Sequence, residues 1–184
     1  ELVRNGRIGE FKTIHVGLPT GSGCEPQPEM PVPDGFDYDF WLGPAPEVPY
    51  TEKRCHWNFR WIKDYSGGQL TDWAGHHCDI AHWGMDTERT GPVEVEGEGV
   101  YPRDGLWDAV TEYRFECTYA NGMKMIVANN KVNPMGVKFE GAEGWVYVNR
   151  RGMETEPVSL INSVIGPDEV HLYRSNNHYA NFIE

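Results

Sequence analysis

The order of hydrophobic and polar positions divides this chain into an early strand, a punctuated loop, one long helix and a run of strands. Phe11-Lys12-Thr13-Ile14-His15-Val16-Gly17-Leu18 alternates and carries β-branched residues, which predicts a first strand. From Pro19 to Pro49 the chain holds most of its prolines and several glycines, a composition that sustains neither a helix nor a central strand. A long ordered surface loop is expected there, pinned by one helical turn over Phe36–Leu42. Trp57-Asn58-Phe59-Arg60-Trp61 then alternates large aromatic with polar residues, the pattern of a strand with an aromatic core face.

A helix is expected from about Gln69 to Met85, entered through Gly67-Gly68, with Ser66 or Thr71 placed to cap its start. Gly75 weakens that helix relative to alanine, and it leaves room for another backbone or a ligand to approach. The second half reads as strands at Val93–Tyr101, Ala109–Tyr119, Met123–Asn129, Val137–Glu140 and Gly144–Asn149. Asn121-Gly122 signals a hairpin between the second and third, and Gly141–Gly144 turns the chain between the last two. A helix followed by hairpin-linked strands predicts an α+β fold with a mainly antiparallel sheet.

At 184 residues the chain suits one well-cored domain. Its 28 acidic against 16 basic residues give a net charge of -12, a field of the wrong sign for nucleic acid or anionic membrane surfaces. No run has the length of a membrane-spanning helix. Seven Trp and nine Tyr exceed the needs of a core, so some are expected at a groove or interface. Cys24, Cys55, Cys78 and Cys117 form no CxxC pair and read as small hydrophobes. Both ends look interrupted: Glu1–Gly6 resembles the end of a helix, and Asn177–Glu184 a helix that has just begun. The pattern is that of a segment excised from a longer chain, which leaves localisation open.

Asp72, His76 and Asp79 are the sharpest candidate site. Spacings of four and seven bring them to one helical face, and a carboxylate beside an imidazole can move a proton near neutral pH. The pattern alone leaves two readings standing, a site or a solvated helix surface. A metal centre including His77, Cys78 or His82 is less favoured, because His77 and Cys78 point away from His76 and the HExxH form is missing. Asn58 and Arg60, with Trp57, would suit a hydroxyl-rich ligand. No glycine pair fits a dinucleotide fingerprint: Gly21-Ser22-Gly23 opens no helix, and Gly97-Glu98-Gly99 lies inside a strand.

The segments Trp41-Leu42-Gly43-Pro44-Ala45-Pro46, Trp57–Trp61, Asp64-Tyr65, Gly67-Gly68-Gln69-Leu70-Thr71-Asp72-Trp73 and His76-His77-Cys78-Asp79 together resemble the C-terminal domain of Gfo/Idh/MocA oxidoreductases. That family includes glucose–fructose oxidoreductase and inositol dehydrogenase. Phe139–Trp145 and Asn177–Phe182 extend the resemblance over nearly the whole chain.

The resemblance implies an open sheet with helices packed on one face, acting as a substrate-binding and oligomerisation domain over 1–184. It implies a partner Rossmann domain, absent from this chain, that holds NAD or NADP and the catalytic lysine. His76 would exchange a proton with the reacting secondary hydroxyl of a sugar or cyclitol, and Asp72 would orient or polarise it. Trp57, Asn58, Arg60, Tyr65 and Asp79 would contact substrate. This chain alone is expected to bind no cofactor and no metal and to be inactive. The alternatives are a carbohydrate-binding module without redox chemistry, an NAD-assisted glycosidase domain, and a metal-dependent enzyme.

Overall fold

The strand expected at Phe11–Leu18 forms as β1 and takes a central place in the sheet. The computed structural model describes residues 1–183; Glu184, the last residue of the expected C-terminal helix start, lies outside them. After β1 come α1 (Tyr38–Leu42), a 3-10 helix at His56–Trp61, and α2 (Gly68–Met85). Then follow β2 (Glu94–Val100), β3 (Glu112–Thr118), β4 (Lys124–Asn129), β5 (Gly136–Gly141), β6 (Trp145–Asn149) and β7 (Gly152–Glu156). A short α3 (His178–Ile183) comes last.

The seven strands lie in the order β2-β3-β4-β1-β5-β6-β7. The β1/β4 pair is parallel, and every other pair along the sheet is antiparallel. A parallel neighbour demands a long crossover, which α2 and the first hairpin supply between β1 and β4. The fold is α+β, with an open, mainly antiparallel sheet.

Side-chain alternation sets the two faces of the sheet. Ile14, Val16, Val127, Val137, Phe139 and Val146 point to one face, where Ala81 and Met85 of α2 cover them. Ile14, Val16 and Leu18 are wholly buried, and each contributes roughly 1.5–3 kcal/mol relative to exposure. Gly84 makes the close approach possible, since a methyl there would sit 2.3 Å from the Phe139 ring. The other face carries His15, Lys138, Glu140, Trp145 and Tyr147, registered across β1, β5 and β6.

Three expectations need correction. Trp57–Trp61 is not a strand: His56–Trp61 winds into a 3-10 helix whose bonds close locally, Asn58 N–H to Cys55 O and Ile62 N–H to Phe59 O. With three residues per turn, Arg60 eclipses Trp57, so the aromatic ladder breaks up. Trp61 is buried while Trp57 is 70% exposed. Neither Ser66 nor Thr71 caps α2: Gly67 is the N-cap, and Gly68 adopts φ 67°, which a side chain resists. The strand expected from Ala109 starts at Glu112. Asp108 and Ala109 instead donate their N–H groups to the Trp61 carbonyl, tying this segment to the entrance of α2. No local pattern announced β7.

The loop from Pro19 is ordered by its contacts. Gly21 N–H bonds Thr111 O, Leu106 N–H bonds Cys24 O, and Met30 N–H bonds Tyr50 O. Phe36, Tyr38, Trp41 and Tyr50 pack ring to ring around α1. The hairpin turn at Asn121-Gly122 forms, with Gly122 N–H on Tyr119 O and the Asn121 side chain accepting from Met123 N–H.

Candidate functional site

The first turn of α2 is anchored from outside the helix. Arg60 reaches across from the 3-10 helix, and its guanidinium lies 3.2 Å from the Asp72 carboxylate. The same guanidinium stacks over Trp57 at 3.9 Å and over Trp61 at 4.4 Å. Asp72 thus turns towards Arg60, and among the described residues it makes no hydrogen bond to His76.

One turn further on, α2 separates its two adjacent histidines. His77 is buried, and its Nδ1 lies 2.8 Å from the Gly17 carbonyl at the end of β1. Burial lowers its proton affinity; the bond to Gly17 opposes that, and the Arg150 and His76 charges add to it. A neutral His77 with Nδ1–H donating to Gly17 O fits these surroundings. His76 is exposed and stands on the solvent side of the helix. The Trp73 ring is edge-on to both imidazoles, at 5.7 Å from His76 and 5.3 Å from His77.

His76 lines a cavity of about 520 Å³ together with Gly75, Asp79, Asn149, Arg150 and His178. Among the described residues Gly75 has nothing within 4 Å of where its Cβ would sit, so the room expected beside it exists. The cavity wall opposite α2 is the tip of the β6–β7 hairpin, and α3 contributes His178. An adjoining cavity of about 410 Å³ shares His77, Asn149 and Arg150 and adds Trp73 and Arg151. Arg150 lies over the Trp73 ring at 4.9 Å, between the two spaces.

The singled-out residues fall into three groups. Trp57, Arg60 and Asp72 meet at the start of α2, with Asn58 half-buried on the intervening turn. His76 and Asp79 share the larger cavity. Tyr65 belongs to the aromatic loop: Trp41 meets its ring at 5.0 Å, and Arg54 Nη1 approaches its hydroxyl at 3.4 Å. Arg150, Arg151 and His178 were not singled out, because strands and loops far along the chain bring them to the helix. A two-arginine hairpin tip was their one visible signal.

Among the described residues, no group of three or more His, Cys, Asp or Glu side chains is arranged to hold a metal ion. All four cysteines are unpaired. Burial, with Cys117 nearby, pushes the Cys78 thiol up to about 12, which makes it a poor nucleophile near neutral pH. The chemistry open to the cavity is therefore proton exchange at His76 and polar or ionic contact from Asp79, Arg150 and His178.

Comparison with known protein families gives one match. Residues 12–172 match the model of the oxidoreductase family, C-terminal alpha/beta domain. No curated protein matches the chain. The match spans most of the sequence, and the chain belongs to the Gfo/Idh/MocA oxidoreductases as their C-terminal domain.

Proposed function

We propose that this chain is the substrate-binding domain of an NAD(P)-dependent oxidoreductase acting on a secondary hydroxyl of a sugar or cyclitol. The observation that carries the reading is the position of His76, an exposed imidazole in a cavity lined by both polar and apolar side chains and occupied by none of the described residues. In the oxidising direction a ring nitrogen of His76 takes the hydroxyl proton, and in the reducing direction it returns it. Asp72, held by Arg60, places a carboxylate one turn before His76. Asp79 and Asn149 supply hydrogen-bonding partners for further hydroxyls.

The residues of this domain do not fit a dinucleotide. Gly21 to Gly23 lies in coil and Gly97 to Gly99 in β2, so neither glycine pair opens a helix onto a phosphate. In this reading NAD or NADP is held by a Rossmann domain of the same polypeptide, and the cavity is completed by that domain. The uncovered sheet face around His15, Lys138 and Trp145 is where copies of the protein pair. A carbohydrate-binding module keeps one observation in its favour, the exposed Trp57, but Arg60 already stacks on that ring.

The test is His76→Asn in the protein carrying its cofactor domain. A fall in kcat of about 10²–10⁴ with cofactor affinity nearly unchanged is expected for a lost general acid–base group. Unchanged turnover refutes the role. A parent reading frame without an upstream strand–GxGxxG–helix unit removes the dehydrogenase reading altogether.

A further inference from the structure

The tip of the β6–β7 hairpin carries two adjacent arginines. Asn149 pairs with Gly152, so the connection is the two residues Arg150-Arg151. Two-residue hairpin loops favour Asn-Gly and similar pairs because their turns need positive φ. Neither arginine adopts positive φ, and with Asn149 before them and Gly152 after them the turn accepts most residues at its centre, so turn chemistry tolerates the two cations without selecting them. A function for the pair must therefore come from what the two side chains face.

Their surroundings supply that function. Arg4, Arg7, Arg60, Lys63, Lys124, Lys131 and Lys138 each hold a carboxylate. Arg150 and Arg151 are among the other cations, which hold no carboxylate among the described residues, in a chain whose net charge is -12. Arg150 is exposed, and its guanidinium lies over the Trp73 ring at 4.9 Å, which orients its fork. It lines the cavity of His76, where among the described residues Asp79 is the one carboxylate facing Arg150 and the imidazoles of His76, His77 and His178. Arg151 extends the cationic wall into the adjoining space. The Asn149 side chain accepts from Arg151 N–H at 2.8 Å and fixes the turn.

We infer that Arg150 is a specificity-determining residue, and that the substrate carries an oxyanion, a carboxylate or phosphate, on the part lying against the hairpin tip while its hydroxyl meets His76. The inference rests on the proposed function above and narrows it from sugars in general to acidic ones. A planar guanidinium gives an oxyanion two parallel charge-assisted bonds, which a neutral hydroxyl cannot match. The α2 helix supplies the proton-transfer group, and the hairpin supplies the recognition of charge.

The test uses the protein carrying its cofactor domain and a matched set of probes: D-glucose, D-glucuronate and D-glucose 6-phosphate, with the galactose counterparts. Binding is followed by titration calorimetry at low and raised salt. At least one acidic probe is expected to bind about ten-fold or more tightly than its neutral counterpart, as charge-assisted bonds predict. The uronate and phosphate arms identify which oxyanion is used. Arg150→Gln is expected to bring that ratio close to one and to remove its salt dependence, while Arg150→Lys restores part of it. Thermal unfolding of each variant checks that the hairpin is intact. Equal binding of neutral and acidic probes, a preference that survives Arg150→Gln, or no binding by any probe overturns the inference. Turnover of a neutral sugar that needs His76 would leave the acid–base reading standing alone. An Arg150-dependent anion preference with turnover indifferent to His76→Asn would do the reverse.

Discussion

Arg60 and Asp72 join the 3-10 helix to α2 through an ion pair of 3.2 Å, with Trp57 and Trp61 stacked against the guanidinium. The pair does mechanical work that neither partner could do exposed. It fixes the direction in which α2 leaves Gly68, and so fixes where His76 lies one turn later. The Arg60 Nε is buried without a partner, so the stack is held by its aromatic neighbours more than by hydrogen bonds.

Arg60→Ala is accordingly expected to destabilise the domain by about 1–2 kcal/mol, the sum of a desolvated cation–π stack and a partly exposed ion pair. Asp72→Asn leaves the stack in place, and a loss below about 1 kcal/mol is expected. Denaturant midpoints of the two variants at unchanged m-value check the order. A larger loss from Asp72→Asn would show that the carboxylate, not the stack, holds the joint.

The adjacent histidines of α2 are expected to behave oppositely. His77→Ala removes a buried side chain and leaves the Gly17 carbonyl without its donor, at a cost of about 1–3 kcal/mol. His76→Ala touches an exposed group, and its effect on stability stays within roughly 0.5 kcal/mol. Thermal and chemical unfolding measure both. Equal losses would mean that His76 packs as His77 does.

His77 also links stability to pH. Its folded-state proton affinity is lowered, chiefly by burial, so the unfolded chain takes up this proton more readily. At pH above the ordinary value of 6.5 the group costs nothing, and as pH falls below 6.5 the folded state loses stability. His77→Gln cannot charge, so its stability is expected to decline less steeply on the acid side. Parallel curves of unfolding free energy against pH for wild type and variant would contradict this.

Much of this arrangement was legible in the chain, and the parts that were not have physical reasons. β1 announced itself because Ile14 and Val16 alternate with polar residues and are buried on one face. The helix carrying Asp72, His76 and Asp79 was readable from its glycine entrance and its spacing. β7 was not, because Gly-Met-Glu-Thr-Glu lies at an edge and buries only Thr155. The 3-10 helix at His56–Trp61 imitated a strand, since alternation in sequence does not reveal that Arg60 folds back over Trp57. The C-terminal helix start was readable, but the cavity wall opposite His76 depends on where the β6–β7 register and α3 place Arg150 and His178, a relation no local pattern specifies. Periodicity reads one element at a time, whereas a cavity is a relation between several.

The two glycines on opposite sides of α2 give the last expectation. Gly84 faces the sheet, where an added methyl would lie 2.3 Å from a Phe139 ring that Phe11 backs at 6.3 Å. Gly84→Ala should therefore overpack the interface and cost about 1–3 kcal/mol despite better helix propensity. Gly75 faces the cavity, and a methyl there meets nothing within 4 Å. Gly75→Ala should raise stability by as much as roughly 1 kcal/mol through helix propensity alone. The same methyl projects into the space beside His76, so kcat/KM of the protein with its cofactor domain should fall while the unfolding midpoint rises. A variant that gains stability and keeps full activity would show that no substrate passes over this turn of the helix.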